Sequence, residues 1–278
     1  MEYFKHRALL IIPIGLLLAS LIYLGYLVTD NKVNYDIDLK GGLQIVISLD
    51  QMPNVAKIEE LLKPYNPTVR LSQDISGYSL IIQADEHTNY EEILSTLREH
   101  GYNFSNWSVQ TLSASLGTSF LHQAQWVLVF AFLAMGITVY YLFRVPMPSF
   151  YVILCGVADI IEAFVFSQIF GVPLSLATFV GLLLLIGYSV DTDILLTTKV
   201  LKDKSGSKSE RIFRAMKTGL TMSMTSLCAV VALFFLSASP TIMHLTLILM
   251  IGLICDMLNT WITNVILIHW YTEKKGLV

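Results

Sequence analysis

Residues Pro173 to Lys199 read PLSLATFVGLLLLIGYSVDTDILLTTK. Pro173 suits the first turn of a helix, and the apolar run behind it is long enough to cross a bilayer. Toward its end stand Asp191 and Asp193. A carboxylate near the centre of a spanning helix costs roughly 2.5 to 3.5 kcal/mol on translocon-type scales, so such residues face a bundle interior or a water-filled cavity and mark ion or proton paths. At about 1.5 Å per residue Asp191 lies roughly 27 Å along the helix, toward one leaflet of a core about 30 Å thick. Positions two apart on a helix point in different directions. Asp191 shares a face with Gly187 and Leu195, Asp193 with Thr197, so at least one carboxylate must find a partner on another helix.

The rest of the composition agrees with a membrane setting. Of 278 residues 54% are hydrophobic and only 14% are charged, and the apolar residues are gathered into long runs. The three cysteines, Cys155, Cys228 and Cys255, all fall inside apolar runs with no CxxC, which gives neither a disulfide framework nor a metal cluster. The six histidines are dispersed, and none has metal-ligand spacing. No cofactor is expected.

Six spans are predicted: Arg7 to Val28, Trp126 to Phe143, Phe150 to Phe170, Leu174 to Thr198, Thr218 to Ala238 and Ile242 to His269. The first follows Lys5, His6 and Arg7 but is too long for a signal-peptide core and has no A-x-A site, so it is expected to be retained. The chain thus divides into a tail and first span (1–29), a polar domain (30–125) and a five-span bundle (126–278) with a basic loop at 199–217. Lys and Arg outside the polar domain cluster at 5, 7, 144, 199–217 and 274–275, all on one side if the spans alternate. By the positive-inside rule both termini are cytoplasmic and the polar domain extracytoplasmic. Membrane topology and lipid headgroups account for the seven basic residues of the long loop, so no nucleic acid is expected as a partner.

Within the polar domain Leu43 to Leu49 reads as a strand, Met52 to Lys63 as a helix, and Val69 to Ser72 with Tyr78 to Gln83 as strands around Ser76 and Gly77. Asn89 to His100 reads as a helix ended by Gly101, and Asn103 to Leu112 as a last strand. The order β-α-β-β-α-β is the split βαβ pattern of ferredoxin-like domains. The expected fold is therefore an all-α bundle of six transmembrane helices plus an α+β ferredoxin-like domain.

Further acids lie in the spans. Asp159 sits near mid-membrane in the third, with Glu162 on the same face, and Asp256 lies in the sixth, followed by Asn259, Thr260 and Asn264. Thr218, Thr221 and Thr225 form one face of the fifth span, beside Lys217. Thr218 and Thr221 reach about the depth of Asp191 and Asp193, which predicts a polar seam between spans four and five with Lys217 as counter-charge. The alternative for each polar group is interhelical hydrogen bonding, about 0.6 to 2 kcal/mol per contact, with nothing transported.

Two stretches carry a resemblance. GYSVDTDILLTTKVLK, from Gly187 to Lys202, resembles the fourth-span motif of SecF in the SecD/SecF protein-export family, in an archaeal rather than a bacterial form. DIDLKGGLQIVISLD, from Asp36 to Asp50, resembles the signature that opens the outer domain in that family, matched by Asp38, Leu39, Gly41 and Gly42. Its DLKGG form is closer to the usual SecD pattern, so the SecF side rests on span four. The bacterial pattern places its key Asp at Thr192 here and its span-five Arg at about Thr218; Asp159 matches the third-span Asp, preceded by Ala158 where a His is usual.

The resemblance implies an RND-transporter-like half that pairs with SecD, works beside the SecY translocon on a translocating polypeptide, and couples proton flow to movement of the outer domain. It implies no enzyme. A scaffold that stabilises SecD and the translocon, with its acids as packing, is the competing expectation. An intramembrane aspartyl protease is disfavoured because the Tyr-Asp and Gly-x-Gly-Asp sequences are absent. A stand-alone efflux pump would need more than six spans.

Overall fold

A computed structural model describes residues 7–49, 51–74, 77–85, 87–237 and 239–276. Lys5, His6, Asp50, Ser76 and Ala238, used above, lie outside them. After a 3-10 turn at Arg7–Leu10 the first span is α1 (Ile11–Thr29). A one-turn helix α2 (Ile37–Lys40) then leads into β1 (Gly42–Leu49), α3 (Val55–Leu61), β2 (Thr68–Asp74), β3 (Gly77–Ala84), α4 (Tyr90–Glu99) and β4 (Trp107–Leu112). The long helices follow: α5 (Ala114–Phe143), α6 (Pro146–Ile169), α7 (Leu176–Leu201), α8 (Lys208–Leu236) and α9 (Pro240–Leu258). The last continues through a π-helical segment, Asn259–Asn264, into α10 (Val265–Lys274). Among the described residues six helical stretches are long and apolar enough to cross a bilayer.

The sheet runs β2-β3-β1-β4 with every pairing antiparallel, from Leu43↔Ala84 to Leu49↔Tyr78 between β1 and β3. This is the strand order that the split βαβ pattern requires. Alternation in β1 puts Leu43, Ile45, Ile47 and Leu49 on the helix-covered face, where they bury against Ile58, Leu62, Leu80, Ile82, Ile93 and Leu97. Asn54 and Asn89 start the two covering helices by accepting from the amides of Lys57 and Glu91.

The structure departs from the sequence expectation at element ends. α2 had no apolar period to announce it. β4 starts at Trp107 rather than Asn103, since only there does pairing with β1 begin. α5 begins at Ala114, with a single residue between it and β4, and α8 begins at Lys208, well before the apolar run from Thr218. The basic loop is mostly helix, because Ser207 accepts from the Glu210 amide while Glu210 reaches back to the Ser207 amide. Only 202–207 connects α7 to α8 there.

Glycines set how closely the parts approach. A Cβ on Gly117 would lie 1.9 Å from the Leu39 carbonyl oxygen, so α5 runs directly against the backbone of α2. Gly42 has φ +139° and would place a Cβ 2.7 Å from the Ala84 carbonyl oxygen. Gly181 admits Ile248 of α9 to α7, and Gly219 of α8 admits the Trp261 ring. Large apolar side chains on α1, α5 and α8 are exposed, including Ile12, Ile22, Phe130, Ile137 and Phe235.

Two outcomes follow. Gly42→Ala should lower stability by about 1–3 kcal/mol in thermal unfolding, and Gly117→Ala by at least as much, whereas Gly15→Ala, with open space around it, should not. In the 202–207 connection, the hydroxyl and amide of Ser205, with Lys199 nearby, hold the Asp203 carboxyl down at about 2. A depressed acid stabilises the fold above its ordinary value of 3.8. That contribution should vanish as pH falls toward 2, and Asp203→Asn should flatten this part of the stability profile.

Candidate functional site

Four carboxyl groups from three helices meet inside the bundle. Asp159 and Glu162 lie one turn apart on α6, Asp193 on α7 and Asp256 on α9, and all four residues are 0% exposed. Hydroxyl and amide side chains hold them. Ser189 of α7 donates to Asp159 Oδ2 at 2.5 Å. Asn259 Nδ2 donates to Asp159 Oδ1 at 2.8 Å and to Glu162 Oε2 at 2.9 Å, joining the two α6 acids. Thr260 Oγ1 lies 3.0 Å from Asp193 Oδ1 and 3.1 Å from Asp256 Oδ1, so one hydroxyl bridges α7 and α9. Asn264 Nδ2 donates to Asp193 Oδ1 at 2.7 Å. Thr192 Oγ1 donates to the Ser189 carbonyl at 2.9 Å, with the Asp256 oxygens 3.3 and 3.4 Å away.

Three of these donors belong to the π-helical segment. A π turn brings positions five apart onto one face, which aligns Asn259 with Asn264, while Thr260 stands one α turn beyond Asp256. The widened turn thereby aims Asn259 at α6 and Thr260 with Asn264 at α7. Among the described residues Asp193 Oδ2 and Glu162 Oε1 have no hydrogen-bond partner, nor do the neighbouring Asn264 Oδ1 and Thr197 Oγ1. Among the described residues none of the four acids pairs with a Lys, Arg or His, and no group of His, Cys, Asp or Glu could hold a metal ion.

Of the candidates from the sequence, Asp159, Asp193 and Asp256 converge, and Glu162 joins them. Asp191, about 200° around α7 from Asp193, is exposed on the outside of the bundle. The two neighbouring side chains therefore do not meet. The seam expected between spans four and five lies instead between spans three, four and six. Lys217, Thr218 and Thr221 occupy the exposed face of α8, and their helix turns Gly219 and Ser223 inward. Thr218 donates to the Arg214 carbonyl at 3.0 Å and Thr221 to that of Lys217 at 2.8 Å, so local backbone oxygens satisfy them without a second helix. Ser189 was not foreseen. Its signal is its position one turn before Asp193 on the same face of α7.

The signature residues of the α+β unit are elsewhere. Asp36 accepts from the Ile37 amide and from Gln83 of β3, and Asp38 lies beside Leu176, the first residue of α7. Burial, with the neighbouring Asp36 carboxylate, pushes the Asp38 carboxyl above its ordinary range; the Leu176 amide pulls it the other way. Gly41 at φ +77° and Gly42 turn the chain from α2 into β1.

Comparison with known proteins fits this architecture. Residues 92–274 match the family model of the protein export membrane protein SecD/SecF, C-terminal. The chain is 36% identical to the protein-export membrane protein SecF of Methanothermobacter thermautotrophicus over 98% of its own length and 94% of the relative's. It is 33% identical to SecF of Methanocaldococcus jannaschii, covering 98% of both chains. Among solved structures, SecDF of Thermus thermophilus, a translocon-associated membrane protein, superposes with a TM-score of 0.74 at 17% identity. That likeness covers 98% of this chain but 39% of the SecDF chain. With six apolar helices, the ferredoxin-like sheet and near full-length SecF relatives in agreement, the chain is a multi-pass membrane protein that belongs to the SecD/SecF family of protein-export membrane proteins.

Proposed function

We propose that this chain acts with SecD as an accessory subunit of the Sec translocase, promoting export or membrane insertion of polypeptides beside SecY, and that the acid cluster couples this work to the proton gradient. The observation that carries the coupling is the convergence of Asp159, Glu162, Asp193 and Asp256, fully buried, with only neutral donors around them. Burying an anion without a cation costs far more than a neutral polar contact, and hydroxyls and amides offset only part of it. Protons are the remaining neutralising species. Adding or removing one changes which oxygens can accept from Asn259 and Thr260, and so changes how α6, α7 and the π segment hold together.

Partnership is supported by kinship: the relatives are protein-export membrane proteins named SecF, and the fold is that of part of SecDF, a translocon-associated membrane protein. The orientation proposed is both termini in the cytoplasm and the α+β unit outside. Lys202 donates to the Leu142 carbonyl and Lys208 to that of His269, which gathers the basic residues at the bundle end away from the sheet. The exposed apolar faces of α1, α5 and α8 suit contact with lipid.

The test is export into vesicles with and without a proton gradient, using chains that still co-purify with SecD. Asp193→Asn should lose the gradient-dependent part of export, while Asp191→Asn should keep it. Normal gradient dependence in Asp193→Asn overturns the coupling, and loss of SecD from that variant would mark the acids as scaffold. In thermal unfolding, Thr260→Val should cost about 1–3 kcal/mol because it strips a bridging donor from two buried acids. Thr221→Val on the exposed face should stay within about 0.5 kcal/mol.

A further inference from the structure

Five residues, Asn34 to Asp38, hold the sheet-side ends of α6 and α7, two of the three helices that carry the buried acids, and approach that of α9. At α6, the Asn34 amide donates to Gln168 Oε1 at 2.7 Å, and Asn34 Nδ2 lies 3.3 Å from the Gly171 carbonyl just beyond the helix. At α7, the Leu174 amide donates to the Asn34 carbonyl at 2.7 Å and the Asp36 amide to the Leu174 carbonyl at 2.8 Å, a one-rung parallel bridge that fixes the chain entering the helix. Ser175 and Thr178 cap each other at the start of the helix, with Asp38 beside Leu176. At α9, His244 Nδ1 lies 3.9 Å from Asp36 Oδ2.

The same segment is built into the sheet. Gln83 of β3 donates to Asp36 Oδ1 at 2.6 Å and to Gln44 Oε1 of β1 at 2.9 Å. Behind it, Leu39 packs its backbone against Gly117 at the start of α5. Asp193 follows Leu176 by 17 residues, about 26 Å along one continuous helix. A rigid helix transmits tilt or axial displacement along its length, and a backbone bridge to the chain entering its first turn passes that displacement to the sheet.

We propose that Asn34–Asp38 is the joint through which a change at the acid cluster reaches the α+β unit, with Asn34 and Asp36 as its positioning residues. The joint rests on the proton reading for its premise that the cluster changes state. The backbone bridge to Leu174 grips the chain entering α7, and Asp36 passes the grip to β3 through Gln83. Asn34 ties α6 into the same unit.

Hydrogen exchange on the full chain in lipid nanodiscs tests this, with Asp193→Asn standing for a neutral cluster. In the parent background, Asp193→Asn should alter exchange at amides 34–44 and around Gln83. Asp36→Ala should abolish that response while β1–β4 keep their protection. Asp36→Asn, whose amide oxygen can still accept from Gln83, should restore it, which a merely structural loss would not allow. If Asp36→Ala unfolds the sheet, Gln168→Ala, which removes the tie from Asn34 to α6 together with the Gln168 bond to the Val172 carbonyl, should shrink the response instead. A response that survives in Asp36→Ala or in Gln168→Ala, or no response to Asp193→Asn at all, overturns the joint. If Asp193→Asn exports normally while its Asp36-dependent response persists, the joint stands and the proton reading falls.

Discussion

Four buried acids, which no Lys, Arg or His among the described residues pairs with, set the terms for the rest of the bundle. Each unsatisfied buried polar atom costs about 1–3 kcal/mol, and more if charged, so the helices around these acids must deliver donors or separate. Continuous α winding would keep Asn259 and Asn264 off a common face. The π segment places both, with Thr260 between them, against acids on two different helices. Backbone geometry at the middle of the last span is therefore subordinate to hydrogen bonding at the cluster. The close approaches at Gly181, Gly219 and Gly252 follow from the same demand, since only small residues let α7, α8 and α9 draw near enough for such short side chains to meet.

The α+β unit is attached to this bundle by backbone as much as by side chains. The bridge between Tyr35 and Leu174, the Leu39–Gly117 approach and the turn through Gly41 and Gly42 are contacts in which a larger side chain has no room or no permitted conformation. Such contacts are stiff. They bring the sheet to the ends of α6 and α7, where a displacement of either helix meets a hydrogen bond rather than a loose apolar surface.

Much of the architecture was legible from local pattern. Runs of apolar residues gave six spans, and period-two alternation in LQIVISL with apolar positions in the helix from Asn89 gave the ferredoxin-like order. Helix ends were read less well. Charged turns such as Lys208–Lys217 hide helix from a hydropathy-based reading, and α2 is a single turn held by the Asp36 cap. The site was half legible. Asp159, Asp193 and Asp256 stand out because acids in hydrocarbon-length runs are rare, and the polar residues after Asp256 were visible as a group.

The sequence by itself determined that this chain spans the membrane six times, carries a small α+β unit and places acids within its spans, because hydrophobic length, alternation and buried charge are properties of neighbouring residues. Only the tertiary structure decided which acids meet. Helix rotation turns Asp193 inward and Asp191 outward although they are two residues apart, and it leaves the Thr face of α8 exposed with its hydroxyls satisfied by their own backbone. That rotation is set by which small residues let helices approach and where donors are needed, and both depend on residues far apart in the chain.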